Sequence, residues 1–157
     1  DLPNHIAVMG GSAGAYIAVG MGVSEPGDFR DELTTEQDPT LESTHRGQSG
    51  AVAAVLDFWG GPLAVDGLPD AFGGEARWDA DDVPTLIVHG TDDNLVDIKE
   101  GRAIRDHYRE TGVAHRFVPL EGEGHGPWDA TVGGQNLREL GHQFLVEQMA
   151  LEQRAGE

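Results

Sequence analysis

Residues 5–18 read HIAVMGGSAGAYIA, and this stretch decides the fold. His5–Met9 is a short, almost continuously apolar run, which is typical of a buried parallel strand. Ser12–Gly22 is rich in small apolar residues, which predicts a helix packed closely on a sheet. Between them lies Gly10-Gly11-Ser12-Ala13-Gly14, which fits the pattern G-x-S-x-G. The stretch therefore predicts a strand, a sharp turn and a helix, with Ser12 at the turn.

Further apolar runs and amphipathic segments repeat this alternation along the chain. Strands are predicted at Val52–Phe58, Thr85–His89 and Arg116–Leu120, and helices at Ile98–Thr111 and Gln135–Gln153. Strands that alternate with helices predict an α/β fold, with a parallel sheet flanked by helices. A chain of 157 residues is long enough for one domain, so residues 1–157 are predicted to form a single unit.

Two segments interrupt the alternation. Ser24–Gly50 is polar and acidic without clear periodicity, which predicts a surface insertion or a lid. Gly60–Val83 is rich in Gly, Pro and Asp, which predicts a loop with room for one short helix.

The turn at Ser12 has the layout of a nucleophile elbow. A sharp turn exposes the serine oxygen at the top of a sheet, and Gly10 and Gly14 are expected to remove side chains that would collide there. The helix that follows presents backbone N–H groups, so the N–H of Ala13 is expected to stabilise an oxyanion. The structural alternative is an ordinary tight turn, since a chain with 23 glycines can match the pattern by chance.

Two later segments carry the partners that such a serine needs. His89–Val96 (HGTDDNLV) follows a predicted strand and is loaded with carboxylates, and Glu121–Gly126 (EGEGHG) places His125 on a glycine-rich loop. Each segment alone fits a solvent-facing turn. Together they give a serine, an acid and a histidine at the ends of three predicted strands. That order predicts nucleophilic catalysis by a Ser-Asp-His triad.

These motifs resemble the esterase/lipase branch of the α/β hydrolases, which includes carboxylesterases, hormone-sensitive-lipase-like and xylan- or feruloyl-esterase-like enzymes. Ile6–Ala18 resembles their nucleophile elbow, and Val83–Gly126 resembles their order of strand, HGxxDxxV, helix, strand and GxGHG. The similarity covers most of the chain outside Ser24–Gly50 and Gly61–Asp82.

By position, the resemblance implies that Ser12 is the nucleophile, His125 the base and Asp93 the acid. Asp92 is the neighbouring alternative to Asp93, and Asp97 is a weaker third candidate. The family often has a serine where this chain has Gly101. The implied reaction is the cleavage of carboxylic esters with short or small acyl groups through an acyl-enzyme. A serine peptidase of the same fold and a non-catalytic, hydrolase-like remnant stay open as alternatives.

Several residues at the predicted strand ends are candidates for the substrate pocket. Gly11, Trp59 and Trp128 are expected to line it, and Asp57 and Phe58 lie nearby in the sequence. Packing in the core is the competing interpretation for each of these side chains.

The resemblance also implies that the front half of the fold has no counterpart here. Such sheets usually have eight strands, with the elbow after the fifth, and an HGGG-type loop that supplies a second oxyanion donor. Gly60-Gly61-Pro62 and Gly73-Gly74 are poor substitutes for that loop. The elbow strand is then an open apolar edge. We expect that the chain is part of a longer enzyme, whose amino-terminal half covers the edge, or that a dimer covers it.

The composition of the chain limits which molecules it is expected to bind. A formal net charge of −18 argues against nucleic acid and anionic membranes as partners. The resemblance implies a small-molecule ester as the partner. No cofactor or metal is expected, because the chain has no cysteine, no HExxH and no calcium-loop glycine after Asp92-Asp93-Asn94. A cytoplasmic location is favoured, since no signal peptide is recognisable. The acidic surface with one lysine, Lys99, fits a high-salt organism or simply a GC-rich genome.

Overall fold

The computed structural model describes residues 5–25, 34–43, 49–72 and 77–151. Four strands form one parallel sheet in chain order. The strands are β1 (Ala7–Gly11), β2 (Ala54–Phe58), β3 (Thr85–Gly90) and β4 (His115–Leu120). The helices are α1 (Ala13–Gly22), α2 (Leu63–Phe72), α3 (Ile98–Thr111) and α4 (Leu137–Gln148). A 3-10 helix, Pro39–Ser43, and an antiparallel pair, β5 (Thr131–Val132) and β6 (Gln135–Asn136), complete the described elements. The predicted α/β fold with a parallel sheet flanked by helices is confirmed.

The sheet separates two hydrophobic clusters, because successive residues of a strand point to opposite faces. On one face α4 supplies Leu140 and Phe144, which pack with Leu56 and Leu86 of the sheet. The other face carries α1, α2 and α3, and β2 contributes Val55 there. All five residues of β2 are buried, as expected for a strand covered on both faces.

The structure shifts several predicted boundaries. β1 begins two residues later than predicted and runs through the glycine pair, because Gly10 and Gly11 pair with β2. α2 has ten residues within the predicted loop 60–83. The last helix was predicted from Gln135, but Gln135 and Asn136 pair with β5, and Asn136 caps the helix in a reciprocal bond with Glu139.

About half of the predicted insertion or lid, Ser24–Gly50, lies outside the described residues. Within its described part, residues 34–43 contain only the 3-10 helix. Nothing in this part tests whether the segment moves over the site. No helix in the described ranges is long and apolar enough to cross a membrane.

β1 lies at one edge of the sheet and pairs only with β2 among the described strands. Two apolar side chains of this edge region are exposed, Ile6 at 51% and Met9 at 61%. An unpaired apolar edge is a site where another strand can add.

Candidate active site

Ser12 lies between β1 and α1 in an unusual backbone conformation. Its φ is 55° and its ψ is −124°, a region that is costly for residues other than glycine. Two hydrogen bonds hold it there: its N–H donates to the carbonyl of Phe58 over 3.0 Å, and its carbonyl accepts from the N–H of Ala15 over 2.9 Å. The side chain makes no capping bond to α1. The hydroxyl is therefore turned away from the helix and available to a partner.

The glycines around Ser12 have unequal roles. A Cβ on Gly10 would overlap the carbonyl of Gly14, so only glycine fits at position 10. A Cβ on Gly14 itself would meet no atom within 4 Å. The expectation that Gly14 is needed to prevent a collision is therefore wrong for the described residues, since the close approach concerns its backbone. A Cβ on Gly11 would lie 2.8 Å from the indole of Trp128.

Asp93 follows β3 and is almost fully buried, with 7% of its surface exposed. Its Oδ1 accepts the N–H groups of Leu95 and Val96, each over 2.9 Å, and its Oδ2 lies 2.7 Å from Nδ1 of His125. Burial alone would raise the pKa of this carboxyl. The hydrogen bonds from Val96, His125 and Leu95 outweigh burial and hold the pKa below its usual value. Asp93 is therefore ionised at neutral pH.

His125 joins the acid to the serine. Its Nε2 lies 3.0 Å from Oγ of Ser12, while its Nδ1 faces Asp93. The side chains after β1, β3 and β4 thus form one continuous chain of hydrogen bonds. Of the other two acids that the sequence offers, Asp92 is exposed, and Asp97 accepts the N–H of Lys99 at the start of α3.

Two further hydrogen bonds brace the acid loop against the histidine loop. The hydroxyl of Thr91 accepts the N–H of Gly122 over 2.8 Å, and the N–H of Asp92 donates to the carbonyl of Glu123 over 2.9 Å. Thr91 is a site residue that the sequence motifs do not predict. Its only signal was a small hydroxyl residue directly after a strand and two residues before the acid.

Ala13 is exposed and is the first residue of α1. A helix leaves its first N–H groups without an intrahelical acceptor, and these carry the positive end of the helix dipole. This placement suits the predicted oxyanion donor, whose role stays a prediction.

Two tryptophans stand beside the hydrogen-bond chain. The ring of Trp59 is buried and lies edge-on to that of His125, with ring centroids 6.4 Å apart. Trp128 is 55% exposed and packs edge-on against Trp59 at 4.6 Å. Both contact Gly11, because a Cβ there would come within 3.3 Å of either ring. The predicted pocket residues therefore lie together, and their role toward a substrate stays a prediction.

Asp57 and Phe58, also named as nearby residues, are core residues. Phe58 lies in the cluster under α4. Asp57 is fully buried, and its Oδ1 accepts the N–H of Gly60 over 2.9 Å. Burial raises the pKa of Asp57 to about 7, although the bond from Gly60 acts in the opposite direction. Its Oδ2 has no hydrogen-bond partner in the described part of the chain.

An apolar groove of about 620 Å³ runs beside the free edge of β1. Its lining includes Met9, Leu56, Phe58, Trp128, Leu137 and Leu145. Trp128 belongs both to this groove and to the surroundings of Gly11. The groove and the unpaired edge thus form one continuous uncovered region.

Within the described residues, no group of three or more His, Asp or Glu side chains is arranged to hold a metal ion.

Several solved structures of esterases share this arrangement of strands and helices. An esterase from the planctomycete Thermogutta terrifontis with propionate bound is 26% identical, with a TM-score of 0.64, and the match covers 98% of this chain and 59% of that one. The fold is of the α/β-hydrolase type. A truncated carbohydrate esterase from gut microbiota has the same fold at 23% identity, with a TM-score of 0.65 and coverage of 93% and 60%.

Esterase PE8 also has the fold, at 20% identity and a TM-score of 0.58, with coverage of 93% of this chain and 51% of that one. The chain thus spans between half and three-fifths of the length of these α/β-hydrolase-type esterases. No protein-family model matches the sequence, and no curated protein is similar to it.

Proposed function

We propose that this chain carries the catalytic triad of a serine hydrolase that cleaves carboxylic esters with short or small acyl groups. The observation that carries the proposal is the chain of hydrogen bonds from Ser12 through His125 to Asp93, with distances of 3.0 and 2.7 Å. The 3.0 Å distance between Ser12 and His125 lies within the range in which a base can take a proton from a nucleophile, and the 2.7 Å distance is that of a hydrogen bond by which an acid orients the base.

The reaction has two acyl-transfer steps. His125 removes the proton from Oγ of Ser12 as that oxygen attacks the ester carbonyl, and Asp93 stabilises the resulting imidazolium. The N–H of Ala13 donates to the oxyanion. His125 then protonates the leaving alcohol, and an acyl-enzyme on Ser12 remains. Water, deprotonated by His125, attacks the acyl-enzyme, which releases the acid and restores the hydroxyl of Ser12.

The restriction to small acyl groups rests on the two tryptophans. Trp59 and Trp128 stand directly against Gly11, the residue before the nucleophile, and leave little space there. The similar Thermogutta esterase was solved with propionate bound, a three-carbon acid. A short acyl chain fits this comparison.

We further propose that the uncovered edge of β1 and its groove are covered in the functional protein by additional strands, from an amino-terminal part of a longer enzyme. The esterases it resembles have two-fifths or more of their length outside the match. Within the described residues Ala13 is the one oxyanion donor assigned. Losing one donor typically costs a factor of ~10²–10³ in rate, so weak activity is expected from this chain alone.

A fluorophosphonate probe tests the proposal, because it reacts with an activated serine even when turnover is slow. We expect labelling at Ser12 that disappears in Ser12→Ala. Asp93→Asn should slow labelling by orders of magnitude, up to ~10⁴-fold, because the histidine loses its orienting acid. Asp92→Asn is the matched control and should label like the original chain. Absence of labelling in a folded sample would favour a non-catalytic remnant.

A comparison of three substrates distinguishes an esterase from a peptidase. p-Nitrophenyl propionate should be hydrolysed faster than p-nitrophenyl octanoate, and a peptide anilide should not be cleaved. Faster cleavage of the anilide than of the propionate would replace the esterase with a peptidase of the same fold.

A further inference from the structure

His89 is a buried polar residue that the proposed reaction does not use. It is the last residue but one of β3, its side chain is completely buried, and its Nε2 lies 2.9 Å from the carbonyl oxygen of Val96. Burial lowers the pKa of this imidazole, so the ring is neutral at physiological pH. A neutral ring carries one N–H, and the contact with a carbonyl places that N–H on Nε2.

The second ring nitrogen is left unsatisfied. Nδ1 has no hydrogen-bond partner in the described part of the chain, and it faces Gly101 at the first turn of α3. A Cβ on Gly101 would lie only 2.8 Å from Nδ1, so the glycine makes room for the ring. A buried nitrogen without a partner lowers stability, so an apolar side chain of similar shape would suit a purely structural position better.

Val96 connects His89 to the triad acid. Its carbonyl accepts from His89, and its N–H donates to Oδ1 of Asp93 over 2.9 Å. The imidazole is 3.6 Å from the carboxylate itself, too far for a direct hydrogen bond. His89 therefore lies directly beside the acid, and its hydrogen bond reaches the acid through the turn that holds it.

We propose that His89 is a positioning residue, which fixes the turn Asp93–Val96 through the carbonyl of Val96 and thereby orients Asp93 toward His125. The inference rests on the proposed function, because it assigns His89 a place behind the same triad. The hydrogen-bond chain then runs from the fully buried His89 to the partly exposed Ser12. Displacing an acid by fractions of an ångström weakens a triad without removing any of its members.

Two variants distinguish a role of His89 in positioning Asp93 from a role in filling space in the core. His89→Phe keeps the ring shape and removes the donor, whereas His89→Gln can place an amide N–H where Nε2 lies. We expect His89→Phe to lower kcat for p-nitrophenyl propionate by a factor on the order of 10–100 with KM unchanged. His89→Gln should recover most of that loss. Equal activity of the Phe variant, or equal loss in both folded variants, would overturn the proposal.

A second readout does not depend on turnover. Loosening the bond from Val96 should raise the pKa of the Asp93 carboxyl, which carbon NMR can follow in the free protein. The rise is expected in His89→Phe and not in His89→Gln. If the original chain neither labels nor hydrolyses, the proposed function fails, and the carboxyl titration still decides the role of His89. An unchanged Asp93 titration in His89→Phe would refute the positioning role by itself.

Discussion

Gly10 and Gly14 approach each other so closely that a methyl group on the first would overlap the carbonyl of the second. This contact lets α1 begin immediately after β1, with Ser12 held between them. The two glycines differ in what they tolerate, since the space around the α-carbon of Gly14 is open. The motif therefore contains one glycine that the turn requires and one that it does not.

We expect Gly10→Ala and Gly14→Ala to have opposite effects on stability. Gly10→Ala must displace α1 from β1 and should lower the melting temperature strongly or prevent folding. Gly14→Ala adds a good helix former to the first turn of α1 and should raise the free energy of unfolding by up to about 1 kcal/mol. Thermal unfolding followed by circular dichroism measures both. A loss of stability in Gly14→Ala would reveal a contact at position 14 that the described residues do not provide.

The strained backbone of Ser12 predicts a stability gain when its side chain is removed completely. Ser12→Gly relieves a conformation that costs non-glycine residues about 1–3 kcal/mol, and glycine entropy takes back part of that gain. We expect Ser12→Gly to melt a few degrees above Ser12→Ala, at about 2–4 °C per kcal/mol. Both variants lack the hydroxyl, so the comparison isolates the backbone. Equal melting temperatures would mean that the turn is not strained.

Asp57 predicts how stability depends on pH. Its pKa is raised to about 7 in the folded protein, above the ~3.9 expected when unfolded, so the folded state retains the proton between these values. The contribution of Asp57 to the free energy of unfolding is therefore fully present below the unfolded pKa, and it is lost as the pH rises through about 7. We expect the free energy of unfolding to fall less between pH 5 and 8.5 in Asp57→Asn than in the original chain.

A second acid with a raised pKa is expected to contribute to the same pH dependence. Burial raises the pKa of Asp82 to about 7 as well, but this residue is only partly buried. Asp82→Asn should therefore also reduce the fall, and the double variant Asp57→Asn/Asp82→Asn should reduce it further than either single variant. Parallel curves for Asp57→Asn and the original chain would contradict the assignment of the slope to Asp57.

The free edge of β1 predicts self-association of this chain when it is produced alone. Met9→Lys puts a charge on the edge and should reduce the concentration-dependent growth of light scattering. Leu63→Lys is the matched control, because Leu63 is 68% exposed, compared with 61% for Met9, but lies on α2. If both substitutions reduce association equally, general surface hydrophobicity rather than the edge is responsible. A monodisperse monomer of the original chain would also count against an interacting edge.

Patterns confined to one segment were readable from the sequence. The apolar runs gave the four strands within a few residues, and the chain order of Ser12, Asp93 and His125 placed all three at the same end of the sheet. Parallel strands bring their carboxyl ends together, so this part of the geometry follows from strand order alone.

Features that depend on two distant segments were not readable. The bond between Thr91 and Gly122 requires two loops to meet, and no local pattern encodes it. The left-handed backbone of Trp59, with φ of 48°, is equally hidden, because tryptophan rarely adopts it and tertiary packing imposes it. The prediction that Gly14 must be a glycine was wrong for a related reason. The close contact joins Gly10 to the backbone carbonyl of Gly14, whereas the space for a side chain on Gly14 is open.

The hydrogen bonds between the acid loop and the histidine loop make this part of the site structurally independent of the strand that precedes Ser12. With Thr91 bonded to Gly122 and Asp92 bonded to Glu123, the loops that carry Asp93 and His125 are held to each other independently of Ser12. Ser12 follows β1, the edge strand, which β2 separates from β3. Substitutions around that strand can therefore alter the surroundings of Ser12 while the hydrogen bonds between the other two loops stay in place.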